Sequence, residues 1–320
     1  MSSHRAQITE LDDGIVAIDT EYLRPIQDAS HLIVAGGRAA FVDTGTNDSV
    51  PLLIDALDQR NLDVADVDYV FLTHIHLDHA GGAGLLMQAL PNALCIVHPR
   101  GAPHMIDPAR LIAGTEAVYG AERTREMYGV LRPIEESRIR VPGDEQWFEL
   151  NGRELQVLFT EGHARHHYCL NDPTSRGVFT GDSFGVSYRE LDTVAGEFIF
   201  PTTTPASFDP DEAHKSVDRI MGCEPERLYL THYSRITDLD RLAADMHADI
   251  DAYCEMALAN KGADDPAAAI RVAMYDYLAA RLLAHGYGGD AAAMHSVLDI
   301  DLALNAQGLV SWLRRLEKQG

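Results

Sequence analysis

A chain of 320 residues with 46% hydrophobic and 23% charged side chains has enough apolar surface for a core, which excludes a disordered polypeptide and suits one large α/β unit with an appendage. A formal net charge of −23 argues against nucleic acid and membrane surfaces as partners, because both are gripped by clustered Lys and Arg, and leaves a small-molecule ligand as the expectation. No apolar run reaches the roughly 20 residues of a bilayer span, and the opening MSSHRAQITELDD lacks an apolar signal core, so a cytoplasmic location is expected. Cys95, Cys169, Cys223 and Cys254 stand singly, with no CxxC pair, and read as reduced thiols rather than metal or redox motifs.

In chain order, residues 31–43 read HLIVAGGRAAFVD, two apolar runs about a Gly-Gly that suits a tight hairpin, ending at Asp43-Thr44-Gly45. Leu52, Leu53, Ala56 and Leu57 recur at helical spacing. Tyr69 to Leu72 then reads as a buried strand, about Gly81 to Leu90 as a helix, and Ala93 to Val97 as another strand. Further strands are expected at Leu155–Thr160, Val178–Thr180 and Leu228–Thr231. Beyond about Thr237 the pattern turns helical, with stripes at Leu242, Met246, Ile250 and Tyr253, at Ile270, Met274, Leu278 and Leu282, and across 299–318. Breaks at 261–266 and 286–289 punctuate these helices.

The chemistry concentrates in Thr73-His74-Ile75-His76-Leu77-Asp78-His79-Ala80-Gly81-Gly82, which places three imidazoles and a carboxylate within six positions just past a buried strand. Folding alone requires no such set, whereas neutral imidazole and carboxylate are good ligands for zinc and other borderline divalent ions. Gly162-His163, Gly181-Asp182 and Thr231-His232 each follow a predicted strand further on.

His74, His76, Asp78 and His79 match the HxHxDH signature in full, and with the later stations the chain resembles the metallo-β-lactamase superfamily over roughly residues 10–235. The resemblance implies a four-layer αββα sandwich at 1–237, and the helical stripes beyond it mark a C-terminal lobe at 238–320. It implies two divalent ions, zinc first with iron or manganese as alternatives. His74, His76 and His163 would hold one ion, Asp78, His79 and His232 the other, and Asp182 would bridge them. A metal-bridging hydroxide would then attack an ester-like bond, with Asp78 also accepting a proton, and Asp43 would act behind the ligands rather than as one.

Arg165, His167, Tyr188 and Phe200 are candidates for substrate contact, the last two with the apolar stretch 198–205 as a wall over the metals. His166 belongs with the 165–168 run, while capping or solvated roles are expected for His98 and His104. The C-terminal helices are expected to bury their apolar faces on the sheets or each other, with a homodimer interface or a substrate cover as alternatives. Among known relatives, glyoxalase II-type thioesterases and lactonases share HxHxDH followed by Gly-Gly. Only three lysines, Lys215, Lys261 and Lys318, and Thr231-His232-Tyr233-Ser234 in place of Gly-His-Glu count against a strict glyoxalase. A thioester or lactone hydrolase is the leading expectation. A diiron oxygen-binding or redox protein, against which His76 speaks, and a signal-binding regulator with residual thioesterase activity are the alternatives.

Overall fold

Gly36 and Gly37, with φ of 53° and 82°, supply the two left-handed residues that a two-residue hairpin needs, and they join strands that pair from Ala35↔Arg38 to His31↔Val42. This hairpin is the centre of a larger sheet in a computed structural model that describes residues 5–203 and 208–319. The chain divides into two compact units. The first holds residues up to 159 together with 166–181 and 231–234, and the second holds 160–165, 182–230 and the chain from 235 onward.

In the first unit, β1 (Ile8–Glu10), β2 (Ile15–Asp19), β3 (Ala29–Ala35), β4 (Arg38–Val42), β5 (Val67–Leu72), β6 (Leu94–Val97) and β7 (Ile139–Arg140) form a seven-stranded sheet in chain order. The first four strands run antiparallel and the last connections are parallel. Parallel neighbours need crossovers. These are α1 (Val50–Gln59), then α2 (Leu77–Ala80) with α3 (Ala83–Ala89), then α4 (Ala102–Ile106), α5 (Ala109–Tyr119) and α6 (Ala121–Tyr128).

Side chains alternate about this sheet with period two. Val16, Ile18, Phe41, Val70, Leu72, Cys95 and Val97 share a core with Leu53, Ala56 and Leu57 of α1 and Leu86 of α3. On the other face Tyr69 and Phe71 meet Phe148, with ring centroids 5.8 and 5.6 Å away. Phe148 lies in β8 (Trp147–Leu150), which pairs antiparallel with β9 (Arg153–Phe159), followed by β10 (Tyr168–Asp172) and β11 (Gly177–Gly181) in the second sheet. Tyr168 ties the two layers by donating its hydroxyl to the Ile96 carbonyl at 2.9 Å.

The second unit contains α7 (Pro210–Met221), β12 (Arg227–Leu230), most of β13 (Ser234–Ile236), and three long helices, α8 (Leu239–Asn260), α9 (Pro266–Ala284) and α10 (Ala291–Gln319). The three helices pack on one another and bury the expected stripes, Leu242, Met246, Ile250 and Tyr253 on α8 and Ile270, Met274, Leu278 and Leu282 on α9. Two sheets plus helices, with a helical C-terminal region, are thus present as expected. Two boundaries differ by more than two residues. α10 begins at 291 rather than 299, because Asp290 accepts the Ala293 N–H at 2.7 Å and caps an alanine-rich first turn. The helix expected from Gly81 starts earlier, at Leu77, and is interrupted at Gly81-Gly82. No helix among the described residues is long and apolar enough to cross a membrane.

Candidate metal centre

Strand β4 is followed directly by Asp43, whose φ of 58° lies in the left-handed region that Asp tolerates better than most residues. That conformation coincides with a carboxylate which is 1% exposed and collects donors from three segments. Thr73 donates its N–H to Oδ1 and its hydroxyl to Oδ2, both at 2.8 Å, His79 donates Nδ1–H to Oδ2 at 2.8 Å, and Thr231 donates its hydroxyl to Oδ2 at 2.9 Å. The Thr73 hydroxyl, its proton committed to Asp43, accepts from His74 Nδ1 at 3.2 Å. Asp43 therefore sets the tautomer of His79 directly and of His74 through Thr73, leaving Nε2 of both rings as lone pairs.

His232 is backed by a different carboxylate, at ion-pair distance. Ala29 donates its N–H to the Thr231 carbonyl at 2.7 Å, which holds the 231–234 segment beside β3. Asp28, fully buried, then meets His232 Nδ1 at 2.7 Å. Burial pushes the Asp28 carboxyl up to about 6, while His232 pulls in the opposite direction.

With both Nδ1 atoms held from behind, His79 and His232 turn Nε2 toward one carboxylate oxygen, Asp78 Oδ2, at 3.7 and 3.6 Å. The ligand atoms of Asp78, His79 and His232 lie within 4.8 Å of one another. Three donors at about 2.0–2.2 Å from a tetrahedral cation stand roughly 3.3–3.6 Å apart, so the set fits a divalent ion. The imidazoles of His79 and His232 are buried and the Asp78 side chain is 23% exposed, so the open side of the triad is the carboxylate.

The remaining expected ligands form two pairs, each within one unit. In the first unit His74 Nε2 and His76 Nδ1 are 2.7 Å apart. In the second, His163 Nε2 lies 3.3 Å from Asp182 Oδ2, and His163 Nδ1 meets the Thr202 carbonyl at 3.2 Å. The first pair offers two imidazoles and the second an imidazole and a carboxylate, donor types that suit zinc, iron or manganese. Glycine is required twice nearby. A Cβ on Gly82 would come within 2.5 Å of the Thr46 carbonyl oxygen, and one on Gly181, at φ 48°, within 2.6 Å of His167 Nε2 and 2.7 Å of Thr73 Oγ1.

The expected substrate contacts divide differently. His167 is fully buried with its ring centroid 4.8 Å from that of His74, so it supports a ligand rather than facing a cavity. Tyr188 and Phe200 are 1% and 0% exposed, with rings 6.1 Å apart, and Tyr188 donates its hydroxyl to Asp301 at 3.2 Å. Both are core side chains of the second unit. Their apolar bulk, which suggested a wall, is spent on packing. Arg165 is exposed, and His166 is half-buried with its ring 5.4 Å from that of His76. Of the stretch 198–205, residues 204 and 205 lie outside the described residues. His98 accepts the Arg100 N–H on Nδ1 at 3.1 Å, a turn bond ahead of α4, whose N-cap is Gly101 with no side-chain cap, and His104 sits half-buried on α4.

Sequence reasoning missed Asp28, the roles of Thr73 and Thr231, and a group of tyrosines beside the motif. Tyr22 and Tyr128 place their hydroxyls 2.9 Å apart and pack with Leu77, the residue between His76 and Asp78. Only the threonines offered a signal, since each directly precedes a candidate ligand.

The model of the family described as the metallo-beta-lactamase superfamily matches residues 23–232. The chain is similar to the metallo-beta-lactamase fold-containing protein ST1585 of Sulfurisphaera tokodaii, with 27% identity over 52% of this chain and 60% of that protein. It is also similar to an atrochrysone carboxyl ACP thioesterase of Passalora fulva, with 25% identity over 48% of this chain and 37% of the relative. The chain thus spans less than two thirds of the length of these curated relatives. Among solved structures, the metallo-beta-lactamase family protein TTHA1429 of Thermus thermophilus shares the fold, with a TM-score of 0.66, 20% identity, and coverage of 95% of this chain and 94% of that one. The chemotaxis sensor ODP, solved as a peroxy diiron species, also shares it, with a TM-score of 0.52, 16% identity, and coverage of 76% and 94%.

Proposed function

The chain belongs to the metallo-beta-lactamase superfamily, and from that premise we propose that it is a divalent-metal-dependent hydrolase of an ester-like bond, a thioester or lactone, in a small molecule. The observation that carries this reading is the convergence of His79 Nε2 and His232 Nε2 on Asp78 Oδ2, with a buried carboxylate behind each imidazole. A curated relative described as an acyl-carrier thioesterase supports the choice of bond. On this reading Asp78, His79 and His232 would hold one divalent ion, zinc in the first instance, and the family resemblance assigns His74, His76, His163 and Asp182 to a second.

When bound, the ions polarise the acyl carbonyl and acidify water. The residues of the chain do the rest. Asp43 and Asp28 keep His79 and His232 in the Nδ1–H tautomer, so that neither ring competes for the proton moved in the reaction. Asp78 takes a proton from the attacking water and returns it to the leaving sulfur or oxygen as the acyl carbon–heteroatom bond breaks, giving a carboxylic acid and a thiol or alcohol.

Metal analysis combined with an acyl-thioester and lactone panel tests the proposal. Chelator-sensitive turnover is expected, and Asp78→Ala should lower it by about 10²–10⁴-fold. Tightly bound metal without turnover on any member of the panel, or bound iron with an oxygen-dependent optical spectrum in its place, would overturn the hydrolytic reading.

A further inference from the structure

Helix α5 is eleven residues long and buries none of them, although it carries Leu111, Ile112, Val118 and Tyr119. Leu111, Ile112 and Tyr119, with Met127 of α6, instead lie half-buried against a small cluster of Tyr22, Leu77, Tyr128 and Leu131. An apolar helix face in this condition is neither core nor ordinary surface.

Two features say what this half-open cluster faces. Leu77 lies between His76 and Asp78, so the inner end of the cluster is continuous with the ligand segment. The phenol oxygens of Tyr22 and Tyr128, 8% and 4% exposed, hydrogen-bond each other at 2.9 Å, which leaves the floor of the cluster satisfied and apolar. A surface of that kind selects hydrocarbon rather than polar groups.

We infer that Leu111, Ile112, Tyr119 and Met127, backed by the buried Tyr22–Tyr128 pair on which they pack, form an apolar wall whose exposed side receives the apolar acyl part of the substrate while its carbonyl lies at Asp78. The inference rests on the hydrolytic reading and specifies its substrate class: esters or thioesters of hydrocarbon acyl groups rather than of small polar ones. Proximity to Asp78 has electrostatic support. The acidities of Tyr22, Tyr119 and Tyr128 are all weakened, first by burial and next by the Asp78 carboxylate.

Equilibrium binding separates this inference from catalysis. Linear carboxylates from acetate to octanoate, titrated calorimetrically into the zinc-loaded protein, share the same head group, so the dependence on chain length reports the wall alone. Affinity should rise about fourfold for each methylene that leaves water. Ile112→Ser and Tyr119→Ala should each flatten that slope while leaving acetate affinity and zinc content unchanged. Val118→Ser, at a residue of α5 that is 45% exposed and outside the cluster, should preserve it. A flat slope in the unaltered protein, or an unchanged slope in both cluster variants, overturns the inference even if short-chain esters are hydrolysed. A slope that the cluster variants abolish upholds the wall as a hydrocarbon site even if no ester is turned over, in which case only the hydrolytic reading fails.

Discussion

Replacing Asp43 by Asn tests whether a buried carboxylate that is not itself in the metal triad governs metal affinity. Asn tolerates the φ of 58° and nearly preserves shape, so the perturbation is confined to hydrogen bonding and charge. The carboxamide keeps one acceptor oxygen where the carboxylate has two. Thr73 N–H is a backbone donor that cannot change its character, so the oxygen should settle there and the NH2 should face His79 Nδ1. His79 can answer only by accepting at Nδ1 and carrying its proton on Nε2, the atom it turns toward Asp78 Oδ2. The charge-assisted bond to His79 is lost and the Thr231 hydroxyl must find another acceptor, which together cost about 2–4 kcal/mol of stability. Metal affinity at the Asp78–His79–His232 position should fall about 10–100-fold, the usual effect of removing a ligand's orienting partner. Chelator competition reads the affinity, and urea unfolding of metal-free protein reads the stability. Affinity within twofold of the unaltered protein would refute the tautomer argument, whatever happens to stability.

Burial lowers His31 from 6.5 to about 4, partly offset by Asp43, so the folded state excludes a proton that the unfolded chain accepts. The stability involved is complete above about pH 6.5 and is lost as pH falls toward 4, amounting to about 2 kcal/mol at pH 5. Urea unfolding of metal-free protein at pH 7 and pH 5 should therefore show a larger loss for the unaltered chain than for His31→Gln, and equal losses would contradict the assignment. Gly181→Ala should destabilise by about 2–4 kcal/mol, from a left-handed alanine plus displacement of His167 and Thr73, and should loosen metal binding through His74. An unchanged melting temperature would mean that the backbone at 181 relaxes freely.

The parts of the fold that could be read in advance are those whose pattern is local. HLIVAGGRAAFVD carries its own turn, Tyr69–Leu72 its own apolar run, and α8 and α9 their own 3.6-residue stripes. β1 and β8 were not legible because ITE and WFEL are short and partly solvated, and α6 because AERTREMY buries only Thr124 and Tyr128. The HxHxDH motif was legible because its ligands are adjacent in sequence. Tyr188 and Phe200 misled for a physical reason: an aromatic residue near a ligand has the same composition whether it lines a cavity or fills a core.

Asp28 shows where local reading must stop. Nothing in Gln27-Asp28-Ala29 marks a functional carboxylate, and the contact with His232 exists only because the Ala29 N–H pairs with the Thr231 carbonyl some 200 residues later. Asp43 was legible as a supporting residue through the family resemblance of its strand-turn, but its reach to Thr73, His79 and Thr231 was not. Both carboxylates act through imidazoles, and each spans two or more distant segments of the first unit. The ligand motif therefore specifies which atoms can bind a cation, and the pairing of β3 and β4 with their neighbours decides which nitrogen each ring presents. A chain that kept every histidine of the motif but lost Asp28 and Asp43 would retain the signature and lose the preorganisation that makes it a strong site.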